Sequence, residues 1–181
     1  NYKRKKGFYD SSEELLLSRS TSIDKLGKPF KWVRARQIYA RRALRLGRVQ
    51  NAYDIASSHF LSLENSFSDH KRVTKAYVDL EWLSGFIALE FLNKPKTAKN
   101  HFKASLSKSE GPNSISKGHY WLGRSYEKLA ENEKAYQSYA VSSVYQESFY
   151  GQLSAERIGA NPENINEFIK IKAKCSSKFF E

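Results

Sequence analysis

The chain has no methionine and a single cysteine, Cys175, among its 181 residues. One cysteine forms neither an internal disulfide nor a zinc site, which excludes the disulfide-stabilised and zinc-finger classes. With 9 glycines and 4 prolines, the chain is too poor in both for a collagen-like or low-complexity protein. No apolar run reaches the roughly 18 residues that a membrane-spanning helix needs, so no membrane span is expected.

The missing methionine bears on the origin of the chain. A translated protein begins with Met, whereas this sequence begins with Asn1, so we expect a processed chain or an excised fragment. The basic residues 1–6 are not followed by the apolar segment of a secretory signal peptide. Part of the function is therefore expected to lie outside these 181 residues. The lone Cys175 leaves the redox compartment open.

Positive charge is unevenly spread along the chain. Residues 1–48 hold 14 of the 31 basic side chains and only 4 of the 19 acidic ones, so they carry +10 of the net charge of +12. A local positive field attracts polyanions such as nucleic acid, anionic lipid or an acidic polymer. A solvated tail followed by one basic helix face explains the same numbers without a ligand.

Apolar residues recur at helical spacing along the chain, and no segment shows the alternation of a β strand, which predicts an all-α fold. The expected helices span residues 11–17, 30–46, 49–62, 70–92, 95–107, 114–130, 132–145 and 147–158, with a last helix from Pro162. Two regions are predicted: a basic tail with a short helix over 1–29, and one platform domain over 30–181. The aromatic content of 14% is sufficient for a packed core.

The helix expected at 30–46 has a basic stripe. At about 100° per residue, the stripe consists of Arg34, Arg41, Arg45 and Arg48, which are the candidate ligand-binding residues. The opposite, apolar arc consists of Trp32, Ala35, Tyr39, Ala43 and Leu46. Arg36 lies in the middle of the apolar arc. We predict that it forms an ion pair with a neighbouring helix, and snorkelling to the helix end is the alternative.

Two helix pairs repeat one pattern. The first pair carries Leu83, Gly85, Ala98, Phe102 and Ser105, and the second carries Leu122, Gly123, Ala135, Tyr139 and Ser142. The spacing resembles the tetratricopeptide pattern, in which a small residue lets two helices approach and aromatic residues fill the space beside it. Stacked pairs of this kind build a solenoid, so the predicted architecture is an α-superhelix of antiparallel, tetratricopeptide-like helix pairs.

Residues that could perform catalysis or bind a metal form no recognisable constellation. The four histidines (His59, His70, His101 and His119) lack the His-Glu-x-x-His spacing, and the chain has no glycine-rich phosphate loop or nucleophile elbow. We therefore expect no catalytic residue, metal or cofactor in this chain. Nucleic-acid binding is not expected either, because the aromatic residues of helix 30–46 lie opposite its arginines and offer no stacking surface.

Three segments together resemble a known family. They are residues 81–93 (Glu-Trp-Leu-Ser-Gly-Phe-Ile-Ala-Leu-Glu-Phe-Leu-Asn), 120–126 (Tyr-Trp-Leu-Gly-Arg-Ser-Tyr) and 148–159 (Ser-Phe-Tyr-Gly-Gln-Leu-Ser-Ala-Glu-Arg-Ile-Gly). In order and spacing they resemble the helical region of the soluble lytic murein transglycosylases, over about residues 30–160. The resemblance implies an α-superhelical platform beside a lysozyme-like domain that cleaves peptidoglycan between N-acetylmuramic acid and N-acetylglucosamine.

The resemblance covers the platform and not the catalytic domain. The family's catalytic signatures are a Glu-Ser pair, Gly-Leu-Met-Gln and Ala-Tyr-Asn-Ala-Gly; the second needs a methionine, and the third is absent here. Glu147-Ser148 imitates the first, but it directly precedes the Tyr-Gly-Gln helix of the platform, so Glu147 is not expected to be catalytic.

The resemblance also implies partners and a location. These are peptidoglycan, a downstream lysozyme-like domain and the periplasm, with this chain inactive by itself. The basic stripe would then guide the carboxylates of peptidoglycan stem peptides. The alternative is a tetratricopeptide-like scaffold for another protein, unrelated to the cell wall.

Overall fold

The computed structural model describes residues 9–61 and 70–159, and all regular secondary structure in these ranges is helical. The helices are α1 (Tyr9–Arg19), α2 (Ile23–Leu26), α3 (Val33–Arg45), α4 (Val49–Ser57), α5 (His70–Glu90), α6 (Pro95–Leu106), α7 (Pro112–Lys128), α8 (Asn132–Ser143) and α9 (Phe149–Ile158), with a 3₁₀ turn at Pro29–Trp32. The all-α prediction is confirmed for the described residues. The basic residues 1–6, the expected helix from Pro162 and Cys175 lie outside them.

The loop expected at 20–29 contains the short helix α2. The Ser22 side chain accepts a hydrogen bond from the backbone N–H of Lys25 and so caps the start of α2. Gly27 ends this helix with φ of 75°, a conformation that glycine adopts without a steric penalty. These two local signals were available in the sequence, but a single helical turn is too short to produce an apolar period.

The chain divides into two compact units, the first ending at Asn93 and the second beginning at Lys94. In the first unit, a core forms between α1, α3, α4 and α5. Its buried residues are Leu16, Tyr39, Ala40, Ala43, Ala52, Ile55, Ala56, Leu83 and Ile87. Alanines face each other between α3 and α4, so the two helices pack closely. The predicted domain boundary between residues 29 and 30 stays a prediction.

The apolar arc expected for α3 is largely present. Tyr39 and Ala43 are buried, and Trp32 and Ala35 pack against the core at its edge. Leu46 is the exception, with 52% of its surface exposed. The reason is that α3 ends at Arg45, so Leu46 lies in the turn before α4 and not on the helix face.

The ion pair predicted for Arg36 is wrong, and so is the snorkelling alternative. Arg36 is fully buried, and its guanidinium donates to the Ile55 carbonyl oxygen (2.6 Å) and to Ser20 Oγ (2.7 Å), both neutral groups. Ile55 lies in the last turn of α4, where carbonyls lack intrahelical partners and carry the negative end of the helix dipole. Burial lowers the pKa of Arg36 to about 10, so the side chain stays charged at neutral pH.

In the second unit, α7 packs against α6, α8 and α9. Gly118 and Gly123 make these contacts possible: an added Cβ would lie 2.5 Å from the Leu106 side chain at Gly118, and 2.7 Å from the Tyr139 ring at Gly123. Gly123 and Tyr139, both members of the second sequence repeat, are therefore in close contact. The helix pairing of the first repeat, and the superhelix as a whole, stay predictions.

Aromatic side chains fill the space between the helices of the second unit. Trp121 of α7 stacks on Phe102 of α6, with ring centres 6.2 Å apart. Tyr120 lies 5.8 Å from Tyr139 of α8 and 5.3 Å from Tyr150 of α9. Phe102, Tyr120 and Tyr139 are buried, so these rings act as wedges between helices.

Candidate functional site

Three of the four predicted stripe residues line one surface groove. Arg34, Arg41 and Arg45 border a groove of about 380 Å³ together with Gln37 and Ile38. All five residues belong to α3, and each lies three or four positions from another of the set, so they share one helix face. Gln37 and Ile38 were not predicted as site residues, although their helical spacing from Arg34 and Arg41 places them on the same face.

The arginines of this α3 groove have no acidic partner among the described residues. Arg41 donates to the backbone carbonyl of Gln37 (3.0 Å), within its own helix. The α3 sequence contains no Asp or Glu. Arg41 and Arg45 are four residues apart, a spacing at which like charges destabilise a helix by about 0.2–0.5 kcal/mol. An anion bound between them would remove that repulsion.

Arg48, the fourth predicted residue, does not line the α3 groove. It pairs with Asp10 (2.9 Å) and Glu13 (3.5 Å) of α1, and Arg42 pairs with the same two carboxylates at 3.0 and 3.7 Å. Glu13 is buried and also accepts a hydrogen bond from Asn51. Hydrogen bonds from Arg48 and Arg42 lower the pKa of Asp10. These ion pairs link α1 to Arg42 and Arg48, and the prediction that Arg48 binds a ligand stays a prediction.

The first residues of the segment 148–159 make close contacts at the start of α9. Ser148 Oγ accepts a hydrogen bond from the Gly151 N–H (3.0 Å), which caps α9, and lies 2.8 Å from Ser116 Oγ of α7. At Gly151, an added Cβ would lie 1.9 Å from the carbonyl oxygen of Tyr145. Glu147 beside them is exposed. Serine and glycine are therefore favoured here by local geometry, and the expectation that Glu147 is not catalytic stays a prediction.

Carboxylates at the boundary between α7 and α8 form ion pairs. Glu127 binds the Arg157 guanidinium of α9 through both oxygens, at 2.9 and 3.0 Å. Glu131 accepts from Lys134 (2.6 Å) and Lys99 (3.2 Å), and these hydrogen bonds lower its pKa. A catalytic general acid at neutral pH needs a raised pKa, so the environment of Glu131 favours a structural role.

His59 is a buried histidine whose two ring nitrogens both have partners. Its Nδ1 accepts the backbone N–H of Leu61 (3.0 Å), and its Nε2 lies 3.1 Å from Glu81 Oε1. Since Nδ1 accepts, the proton of the neutral ring is on Nε2 and is donated to Glu81. Within the described ranges, no group of three or more His, Cys, Asp or Glu residues is arranged to hold a metal ion.

His119 of α7 has a strongly perturbed environment. Its Nδ1 atom is buried with no hydrogen-bond partner among the residues described. Burial lowers the pKa of His119 from its ordinary value of 6.5 to about 4. The folded unit therefore holds the neutral ring at pH values where an unfolded chain would already be protonated.

We expect His119 to make the second unit less stable in mild acid. His119 of the unfolded chain binds a proton near pH 6.5, whereas His119 of the folded chain binds one only near pH 4. The contribution of His119 to the free energy of unfolding is therefore fully present above about pH 6.5 and is lost as the pH falls below it. Between about pH 7.5 and about pH 5.5, the loss is about 1 kcal/mol in the free energy of unfolding. Urea titrations at both pH values measure it. His119→Gln should remove this part of the pH dependence, whereas His101→Gln should keep it.

The described helices include none that is long and apolar enough to cross a membrane. No protein-family model, curated protein or solved structure matches this chain.

Proposed function

We propose that this chain is the non-catalytic helical platform of a periplasmic lytic murein transglycosylase, where it scaffolds a lysozyme-like catalytic domain and guides peptidoglycan. The observation that carries the proposal is the role of the family-like segments: their small residues make close contacts, as Gly123 does with Tyr139 of α8 and Gly151 with the Tyr145 carbonyl in the turn before α9. Contacts this close fix the spacing of helices, which suits a platform that holds another domain. An α-superhelix of tetratricopeptide-like pairs belongs to this proposal.

The guiding role is supported by the charge of the α3 groove. Its three arginines are exposed and lack carboxylate partners among the described residues. Peptidoglycan stem peptides carry carboxylates, which a positive surface attracts over roughly the Debye length of about 10 Å in 0.1 M salt. Binding of this kind weakens as salt is added.

A tetratricopeptide-like scaffold for another protein, unrelated to the cell wall, is the second candidate. The contact of Gly123 with Tyr139 favours it equally, because this contact belongs to the helix-pair pattern itself. The two candidates differ in what they bind, so a cell-wall ligand separates them.

The decisive measurement is co-sedimentation of the chain with purified sacculi. We expect sedimentation at low salt and release at about 0.5 M salt, where the screening length is only a few Å. A zymogram of the same chain should show no lysis, with or without Glu147→Gln. No sedimentation at low salt would remove the guiding role, and clear lysis would overturn the structural assignment of Glu147.

The parent reading frame provides an independent check. A downstream region that encodes the Glu-Ser and Gly-Leu-Met-Gln signatures would support the platform. A stop codon directly after Glu181, without a signal peptide upstream, would favour the interaction scaffold.

A further inference from the structure

We propose that the α3 groove binds an acidic peptide in an extended conformation, with Arg34, Arg41 and Arg45 holding its carboxylates. The inference rests on the proposed function and deepens it by naming the ligand class of the groove.

Four surface arginines outside the α3 groove have acidic partners. Arg42, Arg48, Arg124 and Arg157 each lie within 4 Å of a carboxylate, whereas the exposed Arg19 donates to the Lys25 carbonyl oxygen at 3.5 Å. The three groove arginines have no carboxylate partner within the described ranges, and α3 has no acidic residue to supply one. A guanidinium presents a planar fork of N–H donors that matches both oxygens of a carboxylate. The groove therefore presents three such forks on one face without a partner from the fold.

The spacing of the three forks can be compared with that of an extended peptide. With a rise of about 1.5 Å per residue, Arg34 and Arg41 are about 10 Å apart along the helix axis, and Arg41 and Arg45 about 6 Å. Side chains on one face of an extended chain recur about every 6.6 Å, so the gap between Arg41 and Arg45 matches one such step, and the gap between Arg34 and Arg41 lies between one and two steps. Acidic side chains on one face of a peptide of about six residues can therefore meet Arg41 and Arg45 directly, and the long side chain of Arg34 spans the remaining difference.

The remaining lining residues favour a peptide over a nucleic acid or a bare sugar chain. Gln37 offers an amide that can both donate to and accept from a peptide backbone. Ile38 offers an apolar surface for the methylene groups of acidic side chains. None of the described residues that line the groove is aromatic, so they provide no stacking surface for bases, which single-stranded nucleic acid binding relies on.

The test is a titration of labelled hexaglutamate with the whole chain, followed by fluorescence anisotropy at low salt. The groove variant Arg34→Gln/Arg41→Gln/Arg45→Gln should bind about tenfold more weakly, since each exposed ion pair contributes up to about 1 kcal/mol. The matched control is Lys25→Gln/Lys28→Gln/Lys31→Gln, which removes the same charge from exposed positions of the same unit that do not line the groove. Its affinity should change less than about threefold. Hexaglutamine should not bind.

Two outcomes would overturn the inference. Equal weakening in both triple variants would mean that net charge alone attracts the peptide. Tighter binding of hexathymidylate than of hexaglutamate, lost in the groove variant, would identify a phosphate chain as the ligand. Circular dichroism of both variants confirms that they are folded.

Sacculi separate this inference from the proposed function. If hexaglutamate binds through the groove and sacculi do not sediment with the chain, the groove assignment stands and the cell-wall role fails. If sacculi sediment equally well with the groove variant and hexaglutamate does not bind, the cell-wall role stands and the groove assignment fails.

Discussion

Replacing Gly151 by alanine is expected to lower the free energy of unfolding of the second unit by about 3 kcal/mol, the upper part of the range for an overpacked site. The new methyl group would lie 1.9 Å from the Tyr145 carbonyl oxygen, which is a backbone atom and cannot rotate away. The same oxygen accepts the Ser148 backbone N–H, so moving it would also disturb the capped start of α9. Urea denaturation followed by circular dichroism measures the loss.

Two other glycines of the second unit make this a graded test. Gly111→Ala adds a Cβ whose nearest atom is Ser114 Oγ at 3.8 Å, so it creates no clash; because Gly111 is the N-cap of α7, where alanine is disfavoured, a loss of up to about 1 kcal/mol is expected. Gly118→Ala would meet the Leu106 side chain at 2.5 Å, and a leucine can repack, so an intermediate loss of about 1–2 kcal/mol is expected. If the Gly151 and Gly111 variants were equally stable, the close approach of α9 to Tyr145 would be refuted.

Arg36→Ala is expected to destabilise the first unit by about 3 kcal/mol, the balance of three effects. The variant leaves the Ile55 carbonyl without its donor and opens a cavity in the core, while the cost of burying a charge disappears. Arg36→Lys keeps the charge but has a single nitrogen, which cannot reproduce both hydrogen bonds, and should be intermediate. Thermal and urea unfolding of the chain measure both variants.

Arg34→Ala is the matched control for Arg36, because it removes the same side chain two positions earlier on the same helix. Arg34 is exposed and has no acidic partner among the described residues, so its loss should change stability by less than about 0.5 kcal/mol. Equal stability of the two alanine variants would show that the two hydrogen bonds of Arg36 do no more than offset the free-energy cost of burying its charge. In that case Arg36→Met should be more stable than the natural chain.

Much of the helical structure could be predicted from the sequence because helical periodicity and helix ends are local properties. The apolar period of 3.6 residues relates positions that are only three or four residues apart. The same periodicity placed Arg34, Arg41 and Arg45 on one face, where the structure places them around one groove. Gly123 and Tyr139, 16 residues apart, both belong to the repeat found in the sequence, but only the structure shows that they are in contact.

Other features depend on residues that are distant in the sequence. Arg48 continued the basic stripe by periodicity, but Asp10, 38 residues earlier, reaches it only after α1 packs on the unit. Arg36 donates a hydrogen bond to the carbonyl oxygen of Ile55, and no sequence pattern marks that oxygen as an acceptor. Leu46 is exposed because α3 ends one residue earlier than its apolar pattern does.

The sequence by itself therefore determined the helical class, most helix bounds and the basic face of α3, because these depend on neighbours within one or two turns. Only the tertiary structure decided which charges are neutralised and which stay available. Helix packing brought Asp10 and Glu13 to Arg42 and Arg48, buried Arg36 against the end of α4, and left the groove arginines exposed. Electrostatic pairing depends on distance in space, and that distance is set by the packing of whole helices.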